Sequence, residues 1–135
     1  CVVLSLFASA AAAQDVSVST NGIVRVLKGT ATATSSGDGA KNVAVAVGDG
    51  AGAFAVAGTG NRAIAIGGGS AALTVGIDNT AMSRTGGQAL AIGTGNNATA
   101  TTGGTALAIG NDNTATASEG ASAIAIGSDL TVVAP

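Results

Sequence analysis

Short apolar runs that alternate with small residues recur along this chain, and glycine closes each of them. The clearest are VAVAVG (43–48), AFAVAG (53–58), AIAIG (63–67), ALTVG (72–76), ALAIG (89–93), ALAIG (106–110) and AIAIG (123–127). Period-two alternation predicts strands, and runs this short are not helices. Cutting residues 72–122 into lengths of seventeen aligns ALTVGIDNTAMSRTGGQ (72–88), ALAIGTGNNATATTGGT (89–105) and ALAIGNDNTATASEGAS (106–122), and a fourth unit opens at Ala123. Gly76, Gly93, Gly110 and Gly127 then share one column, Gly86, Gly103 and Gly120 a second, and Asn79, Asn96 and Asn113 a third.

Each unit reads as two strands and two turns. In the first strand Leu90 and Ile92, Leu107 and Ile109, and Ile124 and Ile126 share one face, while Ala89, Ala91, Ala106, Ala108, Ala123 and Ala125 share the other. The larger residues are expected to point inward as the core ladder, leaving the alanines as an outward methyl stripe and a candidate self-association face. In the second strand Ala98, Ala100, Ala115 and Ala117 are expected inside, and Thr99, Thr101, Thr116 and Ser118 outside. One such unit cannot fold alone, because burying two large side chains gains about 1.5–3 kcal/mol each against an ordering cost of ~1–2 kcal/mol per residue. Stacked units bond to the strands above and below, so the prediction is an all-β protein: a β-solenoid or parallel β-roll of two-strand coils with a repeat of about 17 residues. The glycine columns mark corners that need positive φ, and the asparagines either ladder their amides or take left-handed turn positions.

The upstream half is less regular. Gly48, Gly58 and Gly67 are spaced by ten and nine residues, so two runs with their turns make one coil of similar girth. Phe54 and Val56 sit on the opposite parity from Ile64 and Ile66, counted back from the closing glycine, which implies a bulge or phase break. Before these, DVSVST-NG-IVRVL (15–27) reads as a hairpin with Asn21-Gly22 in a type I′ turn, capping the first coil. Residues 29–42 read as a strand and a corner. The apolar run CVVLSLFASAAAA (1–13) looks like the hydrophobic region and small-residue cleavage site of a signal peptide whose start is missing. The expected organisation is a signal segment over 1–13, a hairpin cap and linker over 14–42 and the solenoid over 43–135, in an exported chain at the cell surface or outside the cell.

Composition narrows the chemistry. The 135 residues include 22 glycines, one proline, no tryptophan, no tyrosine, no histidine and one cysteine, with a net charge of −2. Five scattered Lys and Arg make no basic stripe for nucleic acid, and without histidine the commonest general base and zinc ligand is absent. No catalytic, cofactor-binding or metal-binding residues are expected, and the chain is read as non-enzymatic. GTGNRA (58–63) and GTGNNA (93–98) satisfy a G-x-G-x-x-A pattern, but neither opens a helix in a βαβ context, so both are turn glycines. Asp49, Asp78, Asp112 and Asp129 lie in turns without the paired motif of calcium-binding rolls.

The recurring A-L/I-A-I-G, two residues, then Asn and a small-residue strand resembles the head repeats of YadA-like trimeric autotransporter adhesins. Ala89–Gly93, Ala106–Gly110 and Ala123–Gly127 carry the best matches, within residues 43–129. The resemblance implies a left-handed parallel β-roll, a trimer, and adhesion to an extracellular surface or host ligand. The Gly-x-x-Asn spacing of Gly76 to Asn79, Gly93 to Asn96 and Gly110 to Asn113 also resembles curli-like fibre subunits, which implies a self-assembling fibre. The hydroxyl ladder of Thr99, Thr101, Thr116 and Ser118 makes ice binding a third reading. A homo-oligomer, with neither nucleic acid nor a membrane span, is expected.

Overall fold

The computed structural model describes residues 15–36 and 41–135; the proposed signal segment lies outside them. The described chain is all-β, in fourteen strands and two sheets. Sheet A holds β1 (Val16–Thr20), β2 (Ile23–Lys28), β4 (Val43–Val47), β6 (Arg62–Ile66), β8 (Thr80–Arg84), β10 (Asn97–Ala100), β12 (Thr114–Ala117) and β14 (Thr131–Ala134). Sheet B holds β3 (Thr32–Ser35), β5 (Gly52–Val56), β7 (Ala71–Ile77), β9 (Gln88–Thr94), β11 (Thr105–Asn111) and β13 (Ser122–Ser128). From β3 onward the chain alternates between the sheets, and each strand pairs in parallel with the strand one coil away. This is the expected β-solenoid. Residues 17 apart stand in register, as Leu90↔Leu107↔Ile124 shows. The strand expected within 29–42 is β3, which begins sheet B and so belongs to the first coil.

The inward face of sheet B reverses the expectation. Ala89, Ala91, Ala106, Ala108, Ala123 and Ala125 are buried, at most 4% exposed, and form one cluster with Ala98, Ala100, Ala115 and Ala117 from sheet A. Leu90, Ile92, Leu107, Ile109, Ile124 and Ile126 point outward; the first four are partly exposed, and Ile124 and Ile126 are 54% and 61% exposed. The proposed core ladder is therefore the outer face, and the proposed self-association stripe is the core. Coil girth is the physical reason. A corner such as Gly93-Thr94-Gly95-Asn96 turns the chain from β9 to β10 with only two residues between the strands, so the sheets lie close together, and their inward positions are filled by alanine with an occasional larger residue such as Thr74 or Ser83.

The corners also explain the glycine and asparagine columns. Gly76, Gly93, Gly110 and Gly127 have φ of 120, 121, 120 and 143°, and a Cβ on Gly93 would stand 2.0 Å from the carbonyl oxygen of Gly110. Both conformation and close approach exclude a side chain there. At the other corner Thr85-Gly86, Thr102-Gly103 and Glu119-Gly120 each have two positive φ values, and the amide of Gly104 donates to Thr101 O at 2.9 Å, as a type I′ turn requires.

The asparagines form an amide ladder and do not take the left-handed position, which falls on the residue before each: Asp78, Gly95 and Asp112. Asn96 Oδ1 accepts from the backbone amide of Asn113 at 3.0 Å, and Asn96 Nδ2 donates to Ile92 O at 2.9 Å and Gly110 O at 2.7 Å. Every polar group of that buried side chain is thereby satisfied. Asn42 and Asn61 extend the ladder upstream, with the Asn61 amide donating to Asn42 Oδ1 at 2.9 Å. Their spacing hid them: consecutive ladder positions 42, 61, 79, 96 and 113 lie 19, 18, 17 and 17 residues apart. The extra residues sit at corners. Ala57, with φ of 55°, is the insertion that absorbs the parity offset of Phe54 and Val56. Leu130 then occupies the position where the next ladder asparagine would stand, and its amide donates to Asn113 Oδ1 at 3.0 Å.

The hairpin is also as expected, with Asn21 and Gly22 at φ of 49 and 82° and Thr20 paired with Ile23. β1 lies antiparallel on β4, and its buried Ser17 and Ser19 hydroxyls accept the amides of Ala33 and Ser35 at 3.0 and 2.8 Å. Those amides belong to β3, which among the described residues is the edge strand of sheet B at this end, so two side chains stand in for a neighbouring strand there, while β2 forms the edge of sheet A.

One core position departs from alanine without compensation. Ser83 is fully buried, its hydroxyl has no hydrogen-bond partner, and its neighbours in register are Ala65 and Ala100. Ser83→Ala is expected to stabilise the fold by about 1–2 kcal/mol, since an unsatisfied buried hydroxyl costs about that much. Denaturant unfolding checks this, and a loss of stability would show that the hydroxyl has a partner.

Candidate interaction surface

With alanine inside, all larger apolar side chains of sheet B face outward in columns set by the parallel register. Phe54, Leu73, Leu90, Leu107 and Ile124 make one, and Val56, Val75, Ile92, Ile109 and Ile126 the next. A third, at the strand starts, consists of Gly52, Ala71, Gln88, Thr105 and Ser122. The small residues of that column and the taller Phe and Leu side chains beside it bound a trench of about 380 Å³ that crosses the strands. No Asp, Glu, Lys or Arg occurs in β5, β7, β9, β11 or β13.

The outer face of sheet A differs. Its columns run Val43, Arg62, Thr80, Asn97, Thr114, Thr131 and Val45, Ile64, Met82, Thr99, Thr116, Val133. It is aliphatic with exposed Arg62 and Arg84 toward the hairpin end, and hydroxylated toward the other. The inward placement of Ala98, Ala100, Ala115 and Ala117 matches the expectation for this strand. Met82 and Val133 interrupt the threonine column on both sides of Thr99 and Thr116.

The motif candidates settle at corners. Gly58-Thr59-Gly60-Asn61 joins β5 to β6, and Gly93-Thr94-Gly95-Asn96 ends β9 and leads to β10, so neither G-x-G-x-x-A run precedes a helix. Asp78, Asp112 and Asp129 occupy left-handed corner positions, and Asp49 accepts from the Thr30 hydroxyl at 2.7 Å. Among the described residues no three His, Cys, Asp or Glu side chains gather as a metal site.

No protein-family model, curated protein or solved structure matches this chain. Its surfaces therefore have to be read from their own chemistry. The exposed residue type that sequence reasoning missed is the Leu/Ile ladder. A signal for it existed: within the repeat, positions 72, 89, 106 and 123 are always alanine, whereas 73, 90, 107 and 124 vary between leucine and isoleucine. That invariant methyl column marks the tight side, although the second inward column, Thr74, Ala91, Ala108 and Ala125, admits one threonine.

Proposed function

We propose that this protein is an exported, non-enzymatic adhesion or structural module of the cell surface or extracellular space, working as a closed homo-oligomer packed through the outer face of sheet B. The observation that carries the reading is the uncharged Leu/Ile ladder, a contiguous apolar surface that a solitary soluble chain would leave in water. The head-repeat resemblance points the same way. The serine-capped hairpin end favours lateral packing over end-to-end growth, because it offers no open sheet B edge on which another coil could dock. We therefore rank the fibre reading second. Lateral packing leaves sheet A of every copy facing outward, so a weak contact from its hydroxyl and arginine positions is multiplied by copy number. Ice binding stands third, since the threonine columns are short and interrupted.

Light scattering on the purified chain tests this. The expected result is one discrete oligomer, with Leu90→Asp and Leu107→Asp giving folded monomers, because a carboxylate is tolerated in water but not in an apolar interface. A wild-type monomer at high concentration, or a fibre, contradicts it.

A further inference from the structure

We infer that Gln88 fixes the axial register of that lateral assembly, an inference that rests on the self-association reading above. A face built from repeats has a difficulty of its own: Leu73, Leu90 and Leu107 are identical and one coil apart, so a copy displaced along the stack by one strand spacing, about 4.8 Å, finds nearly the same apolar contacts. Something unique must choose among these registers. Phe54 also breaks the repeat, through its larger aromatic side chain, but only at the β5 end of the ladder.

Gln88 differs in kind. It is exposed, it lines the trench, and its column neighbours are Ala71 and Thr105, with Gly52 and Ser122 beyond them. Among the outward positions of β5, β7, β9, β11 and β13 it is the sole glutamine, with two coils on either side; the other outward amide, Asn111, stands at the far end of β11 in register with Thr94 and Ser128. Its amide both donates and accepts, so it is its own complement. In a cyclic assembly whose axis runs along the stack, residue 88 of one copy faces residue 88 of the next. There the amides satisfy one another. Displaced by one coil, one amide meets Ala71 and loses its partner inside an apolar contact, while the other meets the single hydroxyl of Thr105. A single polar residue in an apolar seam is a known way of specifying register at some cost in stability. The lack of any ionisable group on this face also favours a second copy as its occupant, since like approaches like without charge repulsion.

The test uses two chains co-expressed in a Cys1→Ser background, one carrying Thr105→Cys and the other Ser122→Cys. A disulfide needs Cα atoms about 4.4–6.8 Å apart, so it resolves a one-coil slip. With Gln88 present, oxidation is expected to give 105–105 and 122–122 disulfides. With Gln88→Leu, mixed 105–122 disulfides are expected to rise by roughly tenfold, the oligomer mass remaining the same. Gln88→Thr, which copies the residue one coil on, serves as a second variant that disturbs packing less and is expected to act in the same direction. An oligomer that keeps only same-site disulfides in both variants overturns the role of Gln88, as does one that forms no disulfide at all from this column. A monomeric wild type overturns the assembly reading and this inference with it.

Discussion

Ala108→Lys is expected to unfold the protein, whereas Ile109→Lys is expected to leave it folded. Ala108 is fully buried between Ala91 and Ala125 in register, in a core with room for a methyl group. A lysine there brings both a long side chain and an unpaired charge, and each mechanism lies in the class that costs more than about 4 kcal/mol. Ile109, one residue later, points outward, and a lysine there extends into solvent at a cost within about 1 kcal/mol for the isolated chain. Circular dichroism and denaturant unfolding of the two variants, read alongside light scattering, separate loss of fold from loss of assembly. Loss of fold at Ile109 with tolerance at Ala108 would restore the faces inferred from hydropathy alone.

The second large effect is expected at the asparagine ladder. Asn96→Ala removes the acceptor for the buried Asn113 amide and the donor to the part-buried Ile92 O and Gly110 O. Orphaned groups cost about 1–3 kcal/mol each, and part of that is recovered where the corner relaxes, so a net loss of about 3–5 kcal/mol is expected. Asn96→Asp separates shape from donors: it keeps Oδ1 but cannot satisfy either carbonyl, and it places a charge in a buried corner. It is expected to be at least as damaging as alanine near neutral pH. Chemical denaturation checks both, and a loss below about 1 kcal/mol in Asn96→Ala would mean that the ladder contributes nothing beyond filling space.

Much of this architecture was legible because it is carried by residues with few alternatives. A positive φ beside a close carbonyl admits only glycine, so Gly76, Gly93 and Gly110 announce the corner and the period together. Asn21-Gly22 announces the hairpin for a similar reason. The inversion of sheet B was not legible from hydropathy, because burial rules assume a core thick enough for leucine. Here corner length sets the thickness, and corner length is a geometric quantity that enters the sequence only through the invariance of Ala89, Ala106 and Ala123. The earlier ladder positions Asn42 and Asn61 were hidden by insertions such as Ala57, which change spacing without changing the strands. Ser17 and Ser19 escaped notice because a hydroxyl in a hairpin strand reads as solvent-facing until the strand it caps is known.

The most direct test of an alanine interior with a Leu/Ile exterior is the pattern of methyl–methyl nuclear Overhauser effects across the coil. It is insensitive to assembly, since a partner docked on sheet B contributes only sheet B residues. Ala106 and Ala108 methyls are expected to show cross-sheet contacts to Ala115 and Ala117 of the same coil, while Leu107 and Ile109 show contacts along their columns to Leu90, Ile92, Ile124 and Ile126 and none to sheet A alanines. Cross-sheet contacts from the Leu107 and Ile109 methyls to Ala115 and Ala117, with none from Ala106 and Ala108, would contradict it.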